Sequence, residues 1–195
     1  MPHAVEPTLE EKVQILWDER QITDVLHRYS RGFDRCDMEI AKSAYWPDAL
    51  DDHPGFCGNA HAMCDHFDAY HRDLWVSTQH HIANTRIEID GDTAHTESYC
   101  FLAAKKKETL ELVVVGGRYV RRLERRDGEW RIAAAVLVAD WSLNPETTLE
   151  MIATGATGSR DRDDVSYDRP LEVTRERRTS SPPEPPAHGA APARA

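Results

Sequence analysis

Thr85–Ala104 reads TRIEIDGDTAHTESYCFLAA, and this stretch decides the fold. Ile87 and Ile89 alternate with polar residues, the period of a strand. Asp90-Gly91-Asp92 is a hairpin signal, and a second extended run follows from Thr93 to Ala104. Working outward, the period of two begins at Val76. Beyond Ala104 a charged connection, Lys105 to Glu108, leads to a long strand from Leu110 to Arg125. Gly116-Gly117 inside it marks a bulge or bend. Asp127-Gly128 is a second hairpin signal, and Glu129 to Trp141 forms the last strand.

Upstream the period becomes helical. Ile22, Val25, Leu26, Tyr29 and Phe33 fall on one face of a helix from Leu9 to Phe33. Thr8 with Glu11 three residues on forms a capping-box pattern. A short helix from Asp37 to Tyr45 runs up to Pro47, and Pro54 to Gly58 is turn-rich. A third helix follows from about Asn59 to Trp75, presenting Met63, Phe67, Tyr70 and Leu74. Three helices followed by a four-stranded antiparallel meander make an α+β fold. Such a curved sheet folded over helices leaves a pocket between them.

The chain splits into a folded domain over residues 8–155 and a tail over 156–195. Ser180 to Ala195 holds five prolines. The tail's Arg, Asp, Pro, Ser and Ala bury too little apolar surface to fold, so disorder is expected, preceded by a short helix at Pro145–Ala153.

Composition narrows the function classes. The 195 residues are 40% hydrophobic and 30% charged, ordinary for one soluble domain. A formal net charge of −10 argues against nucleic-acid binding, which needs a basic surface. The one basic run, Arg118 to Arg126, lies in a strand and reads as a solvated face. The four cysteines, Cys36, Cys57, Cys64 and Cys100, show no CxxC spacing. No apolar run approaches the roughly 20 residues of a membrane span, and Met1–Pro7 lacks the pattern of a signal peptide. A cytoplasmic protein with free thiols is the expectation.

His53, His61, His66 and His71 lie close in sequence, but His61/His66 and His66/His71 are five apart rather than four. A surface cluster is therefore read in preference to a metal site, and no metal is expected. His95 is read as a strand residue facing solvent or a neighbouring subunit.

An ordered set of motifs carries a resemblance. It runs Tyr29-Ser30-Arg31-Gly32-Phe33-Asp34, Tyr45-Trp46-Pro47-Asp48-Ala49, Thr78-Gln79-His80-His81-Ile82-Ala83-Asn84 and Gly91-Asp92-Thr93-Ala94. Gly117-Arg118-Tyr119, Asp127-Gly128-Glu129-Trp130-Arg131-Ile132 and Asp140-Trp141 complete it. From about residue 10 to 145 the chain is similar to the SnoaL-like / nuclear-transport-factor-2-like group. That resemblance implies a cone-shaped, curved antiparallel sheet wrapped on the N-terminal helices. Within the group the pattern resembles bile-acid 7α-dehydratase, hexachlorocyclohexane dehydrochlorinase and, more distantly, scytalone dehydratase. Those enzymes abstract a proton with an Asp–His dyad, and Asp34 and His80 match the dyad positions. Tyr29 matches the tyrosine of the bile-acid enzyme. Trp46, His81, Asn84 and Tyr119 are candidates for contacting the substrate.

The chemistry suits these residue types. The ordinary pKa of histidine, about 6.5, lies near working pH, and a buried carboxylate fixes its tautomer. A phenol can assist a departing hydroxyl or stabilise a developing enolate. The scheme requires no cofactor. A bland reading stands beside each residue: Asp34 as a helix cap, Tyr29 as a core tyrosine. Strand parity counted back from Ile87 and Ile89 places His81 on their face and His80 on the other, whereas the resemblance assigns His80. The residues alone leave both open.

One departure from the pattern is Ala133-Ala134-Ala135, where the dehydrochlorinase resemblance implies a cavity arginine near Ala135. The expected cavity is therefore more apolar. That favours a dehydratase acting on a bulky, hydroxylated polycyclic, steroid-like or polyketide-like compound. The alternative is a non-catalytic ligand-binding module, or one like a dioxygenase small subunit. The resemblance also implies a homo-oligomer, dimer or trimer, with Val113, Val115, Val136 and Val138 as a candidate face.

Overall fold

A computed structural model describes residues 6–144, 154–156 and 158–174. The elements are α1 (Leu9–Asp34), α2 (Met38–Ser43), β1 (Tyr45–His53), β2 (Phe56–Asn59), α3 (Ala60–Leu74), β3 (Trp75–Asp90), β4 (Thr93–Lys106), β5 (Leu112–Arg126) and β6 (Glu129–Ser142). The capping box is present: Thr8 N donates to Glu11 Oε2 at 2.7 Å and Glu11 N to Thr8 Oγ1 at 3.2 Å. Only the second half of α1 is buried, through Ile22, Val25, Leu26, Tyr29 and Phe33. Its first turns leave Leu9, Val13, Leu16 and Trp17 exposed. No helix among the described residues is long and apolar enough to cross a membrane.

The sheet has six strands in the order β2-β1-β6-β5-β4-β3 and does not close. The four-stranded meander is present as expected, but the sheet is mixed rather than wholly antiparallel, because β1 runs parallel to β6. The helix expected to reach Tyr45 stops at Ser43, and the segment Tyr45–His53 that follows is a strand. Its disguise is Pro47, which cannot donate to a ladder. The residue sits within a register break between Tyr45 and Leu50 that accommodates it. At the β5–β6 turn Asp127 and Gly128 both have positive φ, 52° and 82°, as a two-residue primed turn requires.

The main core lies between the helices and one face of the sheet. Ile22, Val25, Tyr29, Phe33, Tyr45, Met63, Leu123, Trp130 and Ile132 build it. Gly32 lets α1 meet α2 closely: a Cβ there would stand 2.5 Å from the Ala41 backbone nitrogen. Asp18 is buried at one end of the core. It accepts from Trp130 Nε1 at 2.9 Å and from Arg125 Nη1 at 3.0 and 3.1 Å.

The other face of the sheet carries a surprise. Contrary to the expectation of disorder from residue 156 on, residues 158–174 form a strap packed against it. Leu171 is fully buried with Val120, Ala134, Val136 and Val138. Arg118 binds Asp164 through Nη1 at 3.0 Å and Nη2 at 2.9 Å, and also meets Glu97 and Asp140. Arg122 Nε donates to Leu171 O, and Leu171 N donates to His95 Nε2. Tail composition, averaged over forty residues, hides these two anchors, one apolar and one ionic. His95 therefore faces the strap, and Val136 and Val138 are covered by the chain itself rather than left free for another copy. Residues 175–195, and the short helix expected at 145–153, lie outside the described residues.

Candidate active site

Asp34 is the last residue of α1, and β3 passes beside it. The carboxylate accepts four hydrogen bonds from β3. Thr78 Oγ1 donates at 3.0 Å, and the His80 backbone N–H donates to Oδ1 at 3.2 Å and to Oδ2 at 3.0 Å. His80 Nδ1 lies 2.7 Å from Oδ1. Burial alone would push the Asp34 carboxyl up. The hydrogen bonds and charge of His80, with the Thr78 hydroxyl, outweigh it and hold the carboxyl below its ordinary value. An ionised Asp34 makes Nδ1 the donor and fixes the ring tautomer, leaving Nε2 with its lone pair. His80 Nε2 has no hydrogen-bond partner among the described residues.

The ambiguity between His80 and His81 is resolved by a bulge. Ala83 pairs with Tyr99 but Arg86 pairs with Glu97, so β3 carries one extra residue between them. Asn84, at φ 48°, sits in that bulge. Thr78, His80 and Ile82 face inward before it, and Ile87 and Ile89 face inward after it. Parity counted through the bulge therefore misassigns the histidines. His81 points outward and is exposed, and Asn84 is exposed as well. Neither lies with Asp34 and His80.

Aromatic rings enclose the pair. The His71 ring stacks on His80, with centroids 6.2 Å apart and planes 6° from parallel. Phe33 and Tyr29 approach His80 at 6.3 and 6.5 Å. The hydroxyls of Tyr29 and Tyr119 are 3.2 Å apart. Burial raises both phenols well above 10, so they stay protonated. Asp51, also buried, accepts from the Tyr45 hydroxyl at 2.6 Å and lies 3.2 Å from His53 Nδ1. Two histidines of the expected surface cluster are thus turned inward, His71 against His80 and His53 against Asp51. Trp46 stands apart from this group. Its Nε1 donates to Glu124 O, and Arg126 and Arg131 lie over its ring. Among the described residues no three His, Cys, Asp or Glu side chains cluster as metal ligands.

Arg121 was hidden in the basic run. It is fully buried, not solvated, and none of its three guanidinium nitrogens has a hydrogen-bond partner among the described residues. Its Cζ stands 3.9 Å from the centroid of the Tyr119 ring and 4.9 Å from that of Tyr29. A desolvated cation–π contact contributes about 2 kcal/mol. Burying an ion costs several kcal/mol even after relaxation. The rings alone therefore do not offset the burial of this charge. In register Arg121 pairs with Ala135, the position at which the absence of an arginine implied an apolar interior. The inference of an apolar cavity fails here, because the neighbouring strand supplies the cation. Its signal in sequence was parity: Tyr119, Arg121 and Leu123 share a face.

A cleft of about 970 Å³ lies on the opposite face of the sheet, lined by residues including Arg118, Asp140, Asp164 and Tyr167. It belongs to the strap and does not reach Asp34 or His80.

Residues 14–136 match the model of the SnoaL-like domain. No curated protein matches the sequence. The structure is similar to a protein described as a putative scytalone dehydratase from Novosphingobium aromaticivorans (TM-score 0.67, 16% identity, covering 77% of this chain and 99% of that one). It is also similar to a type 2 hexachlorocyclohexane dehydrochlorinase (TM-score 0.62, 18% identity, 67% and 90% covered). A nuclear-transport-factor-2-like superfamily protein from Salmonella enterica serovar Typhimurium aligns at TM-score 0.58 with 17% identity, 65% and 93% covered. At these identities the structural likenesses establish the fold alone, whereas the domain match spans most of the chain: it belongs to the SnoaL-like family.

Proposed function

We propose that this protein is a cofactor-independent lyase, a dehydratase acting on a hydroxylated cyclic small molecule. His80 is the base and Asp34 the carboxylate that orients it. The observation that carries this reading is the 2.7 Å contact between His80 Nδ1 and an Asp34 held ionised by further donors. That contact leaves one ring nitrogen free to take a proton. The names of two structural neighbours, a dehydratase and a dehydrochlorinase, describe eliminations and support the same class.

The step balances within the substrate. His80 Nε2 removes a proton from carbon, the C–H electrons become the new C=C bond, and the C–O bond breaks on the adjacent carbon. The departing hydroxyl receives the proton from the imidazolium and leaves as water. Asp34 stabilises the transient positive ring. Tyr29, beside Tyr119 and within 6.5 Å of the His80 ring, donates a hydrogen bond to the leaving oxygen or to an enolate formed on the way.

The test is turnover of a panel of hydroxylated steroids and smaller hydroxy-ketones, followed by the ultraviolet absorbance of the new conjugated alkene. Asp34→Asn and His80→Ala are each expected to lower kcat roughly 10²- to 10⁴-fold. Native turnover in both variants would remove the dyad from the reaction.

A further inference from the structure

Arg121 lies one phenol ring from the Asp34–His80 pair: Tyr29 touches it on one side and His80 on the other. Its guanidinium is never neutral in a protein and offers five N–H donors in a flat fork. All three nitrogens are buried and unpartnered among the described residues. The buried carboxylates nearby do not meet this need. Asp51 directs its oxygens to Tyr45 and His53, and Asp34 directs its own to Thr78 and His80. The fork faces the rings of Tyr119 and Tyr29, whose π-faces accept no second bidentate partner.

We infer that Arg121 is an anion anchor: the small molecule that enters beside Asp34 and His80 carries a carboxylate, which pairs with this guanidinium. A carboxylate matches on three counts. It is planar, so two parallel N–H···O bonds form with the fork. It carries one negative charge, equal to the one unpaired cation. The surrounding rings of Tyr29, Tyr119 and Phe33 suit the carbon body to which a carboxylate is attached. A phosphate dianion would bring a second charge into an interior that already holds Asp34 and Asp51. The inference rests on the interior being the substrate site proposed above, and it deepens that reading by making the substrate a hydroxy acid rather than a wholly apolar alcohol.

Isothermal titration of the full chain with benzoate, and with benzamide as its neutral isostere, tests the anchor without turnover. Benzoate is expected to bind the native protein at least about tenfold more tightly than benzamide. Arg121→Met, of similar length and without charge, is expected to erase that preference. Asp34→Asn is expected to retain it, so failure of the dyad, read from turnover, is separable from failure of the anchor, read from binding. Equal binding of benzoate and benzamide, no binding of benzoate, or an undiminished preference in Arg121→Met would each overturn the assignment. Should Arg121→Met not fold, the benzoate-to-benzamide ratio in the native protein decides the matter alone.

Discussion

The imidazole rings of His71 and His80 lie parallel with their centroids 6.2 Å apart, bringing α3 to β3 beside Asp34. Burial, then the charges of His80 and His53, push the His71 pKa down to about 4. His71 is therefore neutral in the folded protein wherever the unfolded chain, at about 6.5, begins to bind a proton. Its contribution is fully present above pH 6.5 and is lost as pH falls toward 4. Urea unfolding between those limits is expected to show stability falling by about 3 kcal/mol at most. His71→Phe, which keeps a ring in the stack, is expected to flatten that slope. Asp34, held below 3.8, adds its own loss only at lower pH.

Asp18 ties α1 to the far end of the sheet through Trp130 and Arg125. Asp18→Ala leaves the indole N–H without its acceptor and removes the buried partner of Arg125. Arg125 retains Asp92, so the loss is smaller than for an isolated buried charge. A cost of about 2–3 kcal/mol is expected in the urea midpoint at constant slope.

Gly32 is helical, so replacement by alanine gains about 1 kcal/mol of helix propensity. The contact decides against it. The new Cβ would stand 2.5–2.7 Å from Ala41 backbone and side-chain atoms, which cannot swing away. Gly32→Ala is expected to lower thermal stability, because overpacking of this kind costs about 1–3 kcal/mol and the backbone contact lies at the upper end. A rise in Tm would show that α2 shifts freely.

The strap depends on Arg118, whose ordinary pKa is raised by Asp164 first and by Asp140 and Glu97 after it. Asp164→Asn removes the strongest partner of that guanidinium. Weakening the strap by about 1–2 kcal/mol raises its open population roughly 5- to 30-fold. Trypsin cleavage after Arg160 and Arg162 is expected to accelerate accordingly, with the remainder of the domain still resistant.

Much of the architecture was legible because its signals are local. The capping box at Thr8, the apolar stripe of α1 and the two Asp-Gly turns each depend on residues within a few positions of one another. What escaped depends on distant partners. Tyr45–His53 becomes a strand because β6 lies beside it, despite Pro47. Residues 158–174 are ordered by Arg118 and by Val136 and Val138, which their own composition does not reveal. In the site, Asp34 and His80 were found by resemblance and brought together by the fold. His81, Asn84 and Trp46 lie elsewhere. Arg121 was missed because a run of arginines suggests solvent, while the face it occupies is set by its neighbours Tyr119 and Leu123.

The extra residue in β3 between Ala83 and Arg86 acts as a phase shift. It allows one strand to aim a histidine inward at one end and isoleucines inward at the other. A single deletion in this segment would force a choice between them, either rotating His80 into solvent or exposing Ile87 and Ile89. A change of two residues restores the phase. Length variation at this point should therefore be tolerated in even steps and rejected in odd ones, which makes the segment a parity lock on the direction His80 faces.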